Sequence, residues 1–261
     1  MFLHHFETGS QNPTTLIFLH GGGLGGWMWR PHADHLSKFH CIIPDLPEHR
    51  GSVHKGIFSI PNAAEHIAEI IKKKAHGNRA HVIGLDLGGQ VALQLSAIAP
   101  KLVESVLVSG VCTKPSLTLK WMSYMHKFVL PIKHHDWLIR AKMNHWGIPM
   151  KHFDDVQKDI VMQDWSSSIR IARENLGFQI PEMASHQKLP PLLALAGEKE
   201  GASIQQSLLE LCASYPSSKS YFVRRAKHNW PLEKPALFCK TISSWIAGHP
   251  LPEILVSANP N

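Results

Sequence analysis

Residues 82–90 read Val-Ile-Gly-Leu-Asp-Leu-Gly-Gly-Gln. An apolar run ends in a glycine-flanked turn and passes into the helix-like stretch Gly89–Ala99. This is the strand–turn–helix setting of a nucleophile elbow, Gly84-x-Asp86-x-Gly88, whose central residue is usually serine. Here it is a carboxylate. An ionised aspartate needs no base to act as a nucleophile. It can attack an sp³ carbon bearing a leaving group, and the alkyl ester so formed must then be cleaved by an activated water. Attack on an ordinary ester would give an anhydride, a poorer route. The plainer alternative is that Asp86 only caps the helix beginning near Gly88, by accepting one of its free N–H groups.

Two further residues stand where a partner acid and base would be needed. Leu192–Ala196 runs into Gly197-Glu198-Lys199-Glu200, and Glu200, three residues past the glycine, suits an acid turned back toward the sheet. Glu198 is the fallback. The stretch Val111-Cys112-Thr113-Lys114, another place for such an acid, has no carboxylate. Ser220–Val223 leads to His228, just before the last helical segment from Pro235. Asp86, Glu200 and His228 thus follow the chain order nucleophile, acid, histidine.

Leu16–His20 precedes Gly21-Gly22-Gly23-Leu24-Gly25-Gly26, and two uses of this loop compete. Gly21, Gly23 and Gly26, with Asp45 nineteen residues beyond, match the spacing of a dinucleotide-binding turn. Against that reading stand His20 directly before the glycines, and Trp27, Trp29 and Pro31 after them, where close helix packing prefers small residues. The other use is an oxyanion hole. The Gly22 N–H would be one donor, with no Cβ to keep the backbone from the reacting oxygen.

The elements that must hold these residues alternate. Leu16–His20, Cys41–Pro44, His81–Asp86, Ser105–Ser109, Leu192–Ala196 and Ser220–Val223 read as strands, mostly without polar alternation, as parallel strands buried on both faces do. Ala64–Ala75, Gly89–Ala99, Ser203–Ser214 and Pro235–Ile246 read as helices. The pattern is a doubly wound, mostly parallel α/β sheet. It breaks over 112–187, a stretch rich in Met and Trp with no convincing strand, which predicts a helical cap inserted into a core of 1–111 and 188–261. The tail from Gly248 reads as a loose end.

Composition narrows the class. The 261 residues, 44% hydrophobic, supply one large core. The net charge of +7 is scattered, and Lys72–Lys74 reads as a solvated helix face, so nucleic acid is not indicated. Four separated cysteines form no CxxC pair, which signals neither a zinc site nor a disulfide framework. No apolar run approaches the ~20 residues of a membrane span, and the N-terminus lacks a signal core, which predicts a cytoplasmic protein.

Taken with Pro44-Asp45-Leu46-Pro47-Glu48-His49-Arg50-Gly51-Ser52, these motifs in this order resemble the α/β-hydrolase fold superfamily over nearly the whole chain. The resemblance implies a hydrolase site of Asp86, His228 and Glu200, with Gly22 and Leu87 as backbone oxyanion donors and Asp45 as a structural turn residue. It implies no metal or organic cofactor. Aspartate-dependent relatives are haloalkane dehalogenases, fold-related haloacid dehalogenases and epoxide hydrolases. The sequence departs from each, with Leu87 where a halide-holding Trp or an Arg would follow the nucleophile, and Tyr124 as the only cap tyrosine. Gly22, Leu87-Gly88-Gly89 and a glutamate acid look more like a serine carboxylesterase. Two readings follow: a working aspartate nucleophile, or an esterase frame altered at its nucleophile. A non-catalytic ligand-binding relative is a third. The substrate expected is small and apolar, with Trp27, Trp121, Met125 and Trp230 as candidate pocket residues.

Overall fold

The computed structural model describes residues 2–113, 133–182, 188–215 and 217–258. Its centre is an eight-stranded sheet in the order β1-β3-β2-β4-β5-β6-β7-β8. The strands are β1 (His5–Thr8), β2 (Thr15–Leu19), β3 (His40–Pro44), β4 (Ala80–Leu85), β5 (Val103–Ser109), β6 (Leu192–Gly197), β7 (Ser218–Val223) and β8 (Leu255–Ser257). β1 and β8 are antiparallel edges, on β3 and β7 respectively, and the strands between them run parallel. All five residues of β2, all five of β3 and all six of β6 are buried, which is why they lack polar alternation.

Two expectations are corrected at the edges. β1 was not legible as a strand, because His5-Phe6-Glu7-Thr8 is only half buried. The tail is not wholly loose. Leu255–Ser257 pairs with Tyr221–Val223, which satisfies an otherwise open sheet edge.

Helices cover both faces. On one lie α2 (Ile60–Lys74), α3 (Leu87–Ile98) and a later helix, Ala202–Ser214. α2 shows why its sequence folds so. Ser59 Oγ accepts the Asn62 N–H, Pro61 opens the first turn, and Ile60, Ala63, Ala64, Ile67, Ile70 and Ile71 face inward. Lys72–Lys74 closes it at the favourable end of the helix dipole. The other face holds α1 (Arg30–His35) and the last long helix, Pro235–Ile246, with Trp29 stacked on Phe238. Between β5 and β6 the described residues form α4 (Asp136–Trp146), α5 (Phe153–Met162) and α6 (Trp165–Gly177). No helix among the described residues is long and apolar enough to cross a membrane.

The chain runs outward from β2 to β3 and then returns to β4 on the other side of β2. The strand order therefore reverses at the carboxyl ends of β2 and β4, the crevice where open α/β sheets take ligands. The glycine loop leaves β2 there, and Asp86 follows β4.

Candidate active site

Asp86 is the single residue between β4 and α3, at φ 50° and ψ −116°. A left-handed φ is strained for a non-glycine residue, at a cost of order 1–3 kcal/mol, and such strain concentrates at functional sites. The turn is held by Asp86 N–H donating to Ser109 O (2.9 Å) and by Gln90 N–H donating to Asp86 O (3.1 Å). It can be this sharp only because its flanks are glycine. A Cβ on Gly84 would lie 2.4 Å from Gly88 O, and one on Gly88 would lie 2.3 Å from Leu19 O.

The carboxylate does not cap α3, which overturns the capping alternative. Instead its Oδ2 accepts the Gly22 N–H at 3.1 Å, and both oxygens accept from Asn175 Nδ2 at 3.1 Å. Leu87, fully buried, begins α3, so its N–H has no acceptor within the helix. Its Cβ lies 3.8 Å from the Cβ position of Gly22, on the same side of the carboxylate. The glycine loop thus meets the elbow through the Gly22 N–H.

The rival dinucleotide reading is not what this loop does. The Asp45 carboxylate is spent on its own chain, accepting Gly26 N–H (2.8 Å), Gly51 N–H (3.2 Å) and His4 Nδ1 (2.8 Å). Gly26 then opens the 3₁₀ turn Gly26–Trp29, whose two indoles are buried. Asp45 is a turn residue here, and Gly21 and Gly23 serve the loop.

His228 Nδ1 lies 2.7 Å from Glu200 Oε2, while Glu200 Oε1 accepts Gly197 N–H at 2.7 Å. The acid is therefore fixed at both oxygens, and the histidine's tautomer is set with Nε2 free for chemistry. Glu198, the fallback, is exposed and bonds Arg225 N–H instead. Gly110, at φ 63°, passes under the ring, and a Cβ there would lie 2.7 Å from His228 Nδ1. Burial opposes charging the imidazole, but Glu200 beside it and Asp86 beyond it more than offset this and raise His228 to about 9. Among the described residues no hydrogen bond or ion pair joins Asp86 to His228; the carboxylate is turned toward Gly22 and Asn175.

The helices between β5 and β6 close on this site. Asn175, on α6, is held by Gln90 Nε2, which donates to its backbone O (3.0 Å) and to its Oδ1 (3.3 Å), and also to Cys112 O (3.0 Å). Glu174 Oε2 accepts the Ile60 N–H at the start of α2 (2.8 Å). Asn229, beside His228, bonds Trp146 O at the end of α4 through its N–H at 3.0 Å.

The loop Glu48–Arg50 grips two of these helices. Glu48 takes Arg170 of α6 in a two-point ion pair (2.7 and 2.9 Å) and accepts from Ser167 Oγ and Phe58 N–H. Burial would raise its carboxyl, but Arg170, Phe58 and Ser167 hold it below the usual range. Arg50 reaches the other way, to Asp155 and Asp159 of α5. Both residues sit at positive φ (60° and 38°), strain that their ion pairs hold in place. Asp159 also accepts from Trp27 Nε1 (2.6 Å), and burial pushes it up to about 6 despite these donors.

The pocket residues need correction. Trp230 is fully buried, donates to Ser109 Oγ at 3.0 Å and packs on Phe238, so it belongs to the core. Trp27 is buried between Arg50 and His152 and serves as a brace to α5. Trp121, Met125 and Tyr124 lie outside the described residues.

Asn175, Gln90 and the Glu48–Arg50 grip were missed by sequence reasoning. Gln90 alone left a trace, as a polar residue one turn into an otherwise apolar, fully buried helix face.

A strained elbow, a backbone donor on its oxygen and a histidine paired with a glutamate stand at the same end of the sheet. The model of the alpha/beta hydrolase family matches residues 16–241, and the chain belongs to that family. It is 27% identical over 256 residues to an AB hydrolase superfamily protein of Gibberella zeae, covering 94% of this chain and 84% of that one. It is 24% identical over 260 residues to a pimeloyl-[acyl-carrier protein] methyl ester esterase of Aeromonas hydrophila, covering 92% and 98%. The solved thermophilic esterase of Thermogutta terrifontis shares the fold, with a TM-score of 0.74 at 16% identity over 94% of this chain and 93% of that one.

Proposed function

We propose that this alpha/beta hydrolase cleaves a small apolar substrate through a covalent ester on Asp86. The observation that carries the reading is the Gly22 N–H bond to Asp86 Oδ2. An oxyanion hole filled by the nucleophile's own oxygen has no room for the carbonyl of a substrate ester. It is instead placed for the second half of an alkyl-enzyme reaction, in which water attacks Asp86 Cγ and negative charge develops on that oxygen.

The first half needs no base. A carboxylate oxygen of Asp86 attacks an sp³ carbon, and the leaving group departs with the bonding pair. This removes the charge on Asp86, one of the two carboxylates that raise His228. The imidazole's proton affinity therefore falls once the ester has formed, when a base is needed. His228, steered by Glu200 and with its Nε2 proton released to solvent, then takes a proton from the attacking water and passes it to the departing alkoxide, which leaves as the alcohol. The substrate class is an alkyl halide or an epoxide with an apolar body.

A second reading keeps one specific support: Gly22, Leu87 and an esterase among the relatives are what a serine enzyme would have. On that reading Asp86→Ser gains hydrolysis of short p-nitrophenyl esters. The deciding experiment assays haloalkanes, epoxides and p-nitrophenyl esters on the natural chain and on Asp86→Ser. Turnover of an alkyl electrophile by the natural chain, lost in Asp86→Ser, supports the aspartate reading. Ester hydrolysis gained by Asp86→Ser, with no alkyl turnover by the natural chain, overturns it.

A further inference from the structure

We propose that Asn175 supplies the leaving-group donor of the alkylation step; this rests on the aspartate reading above. The residue after the elbow, Leu87, has no side-chain donor, and the step needs one, since negative charge builds on the departing halide or epoxide oxygen as the C–X bond breaks. Asn175 Nδ2 is an N–H₂ group within 3.1 Å of both Asp86 oxygens; in-line attack brings the electrophilic carbon to one of these oxygens with the leaving atom on its far side, and a donor beside that axis serves the leaving atom.

Its amide orientation is fixed at both ends. The Asp86 oxygens only accept, so Nδ2 faces the carboxylate, which leaves Oδ1 toward Gln90 Nε2 at 3.3 Å. Gln90 is fully buried and tied to Cys112 O, and α6 is anchored in the turns leading to this point by Arg170–Glu48 and by Glu174–Ile60. The donor is thus preorganised on a rigid element. An N–H₂ group has two protons. The two Asp86 oxygens share one of these protons, and the other, held about 120° away by the planar amide, is left for the leaving atom while Oδ1 attacks. The new C–O bond forms, the C–X bond breaks, and its electron pair stays on X. A halide leaves as the anion, and an epoxide oxygen takes its proton from water.

The test separates alkylation from hydrolysis. In a His228→Gln background the ester should persist, and peptide mass spectrometry reads its formation on Asp86. The probes are 1-iodohexane, 1-chlorohexane and 1,2-epoxyhexane, compared in His228→Gln and in His228→Gln with Asn175→Ala. Loss of one preorganised donor should slow alkylation by roughly 10²–10³-fold for the epoxide and chloride, and by much less for the weakly accepting iodide. A merely structural role would slow all three alike. Asn175→Ser, which keeps a shorter donor, should recover part of the loss for chloride and epoxide. Equal rates with and without Asn175, or a uniform loss across the three probes, would overturn the role of Asn175 alone. Absence of any Asp86 adduct from all probes would overturn the aspartate reading and this proposal with it.

Discussion

The Asp86 carboxylate is approached from two sides by different kinds of donor. From the sheet side comes a backbone N–H, that of Gly22. From the inserted side comes one side-chain amide, Asn175, standing on a helix held by ion pairs. The first side follows from strand ends and glycines, and it moves only if the sheet moves. The second depends on the Glu48–Arg170 ion pair and on Gln90. The comparison suggests a division of labour. On the proposed mechanism the sheet side serves the hydrolytic half of the reaction and the inserted side meets the leaving group.

The largest effect should come from the residue both sides share. Asp86→Asn should reduce steady-state turnover of any alkyl substrate by about 10⁴-fold or more, since the nucleophile itself is lost. A folded Asp86→Asn with near-normal turnover would remove the basis of the comparison. His228→Gln should instead leave a burst of about one equivalent of product anion followed by stalling, because alkylation does not use the imidazole. A loss of the burst would show that the two halves are not separable.

The grip can be probed by stability. Glu48→Ala leaves the Phe58 N–H and Ser167 hydroxyl without their acceptor and should cost about 2 kcal/mol, read from urea unfolding. Glu48→Gly makes the same deletion but relieves the positive φ, so it should be less destabilised than Glu48→Ala by about 1 kcal/mol. If the two variants were equal, the strain assigned to this loop would be absent.

The pH dependence of stability should differ between regions as well. His228, raised to about 9 from 6.5, stabilises the fold fully below about pH 6.5, and that contribution is lost as pH rises through 9. The buried core histidines act in the opposite sense. Burial lowers His32 to about 4 and His49 to about 3, and burial likewise lowers the partly buried His81 to about 4. The unfolded chain takes up protons below pH 6.5 that these groups refuse, so stability should fall from pH 6.5 toward 4. Thermal melting against pH should show both limbs, and His228→Gln should flatten only the alkaline one.

Much of the sheet side was legible in the sequence. The six central strands, the four long helices and the residues Asp86, Glu200 and His228 sit at strand ends, where local pattern and glycine turns dictate geometry. β1, β8 and the short α1 were not, since edge strands are half exposed and α1 is only six residues long. The inserted side was largely closed to sequence reasoning for a physical reason. Asn175 meets Asp86 across 89 residues of chain, and Arg170 meets Glu48 across 122, so no local periodicity reports them. Trp230 misled because its position beside His228 suggested a pocket, while its indole turns into the core to reach Ser109.

The most direct test of the central claim is a single turnover in ¹⁸O-water with enzyme in excess over 1,2-epoxyhexane or 1-iodohexane, followed by mass analysis of the peptide containing Asp86. If water attacks the Asp86 ester at Cγ, one ¹⁸O enters the Asp86 carboxylate and the product alcohol carries the original carboxylate oxygen. Turnover with an unlabelled Asp86 and ¹⁸O in the product would mean that water attacks the substrate directly, and would contradict the account.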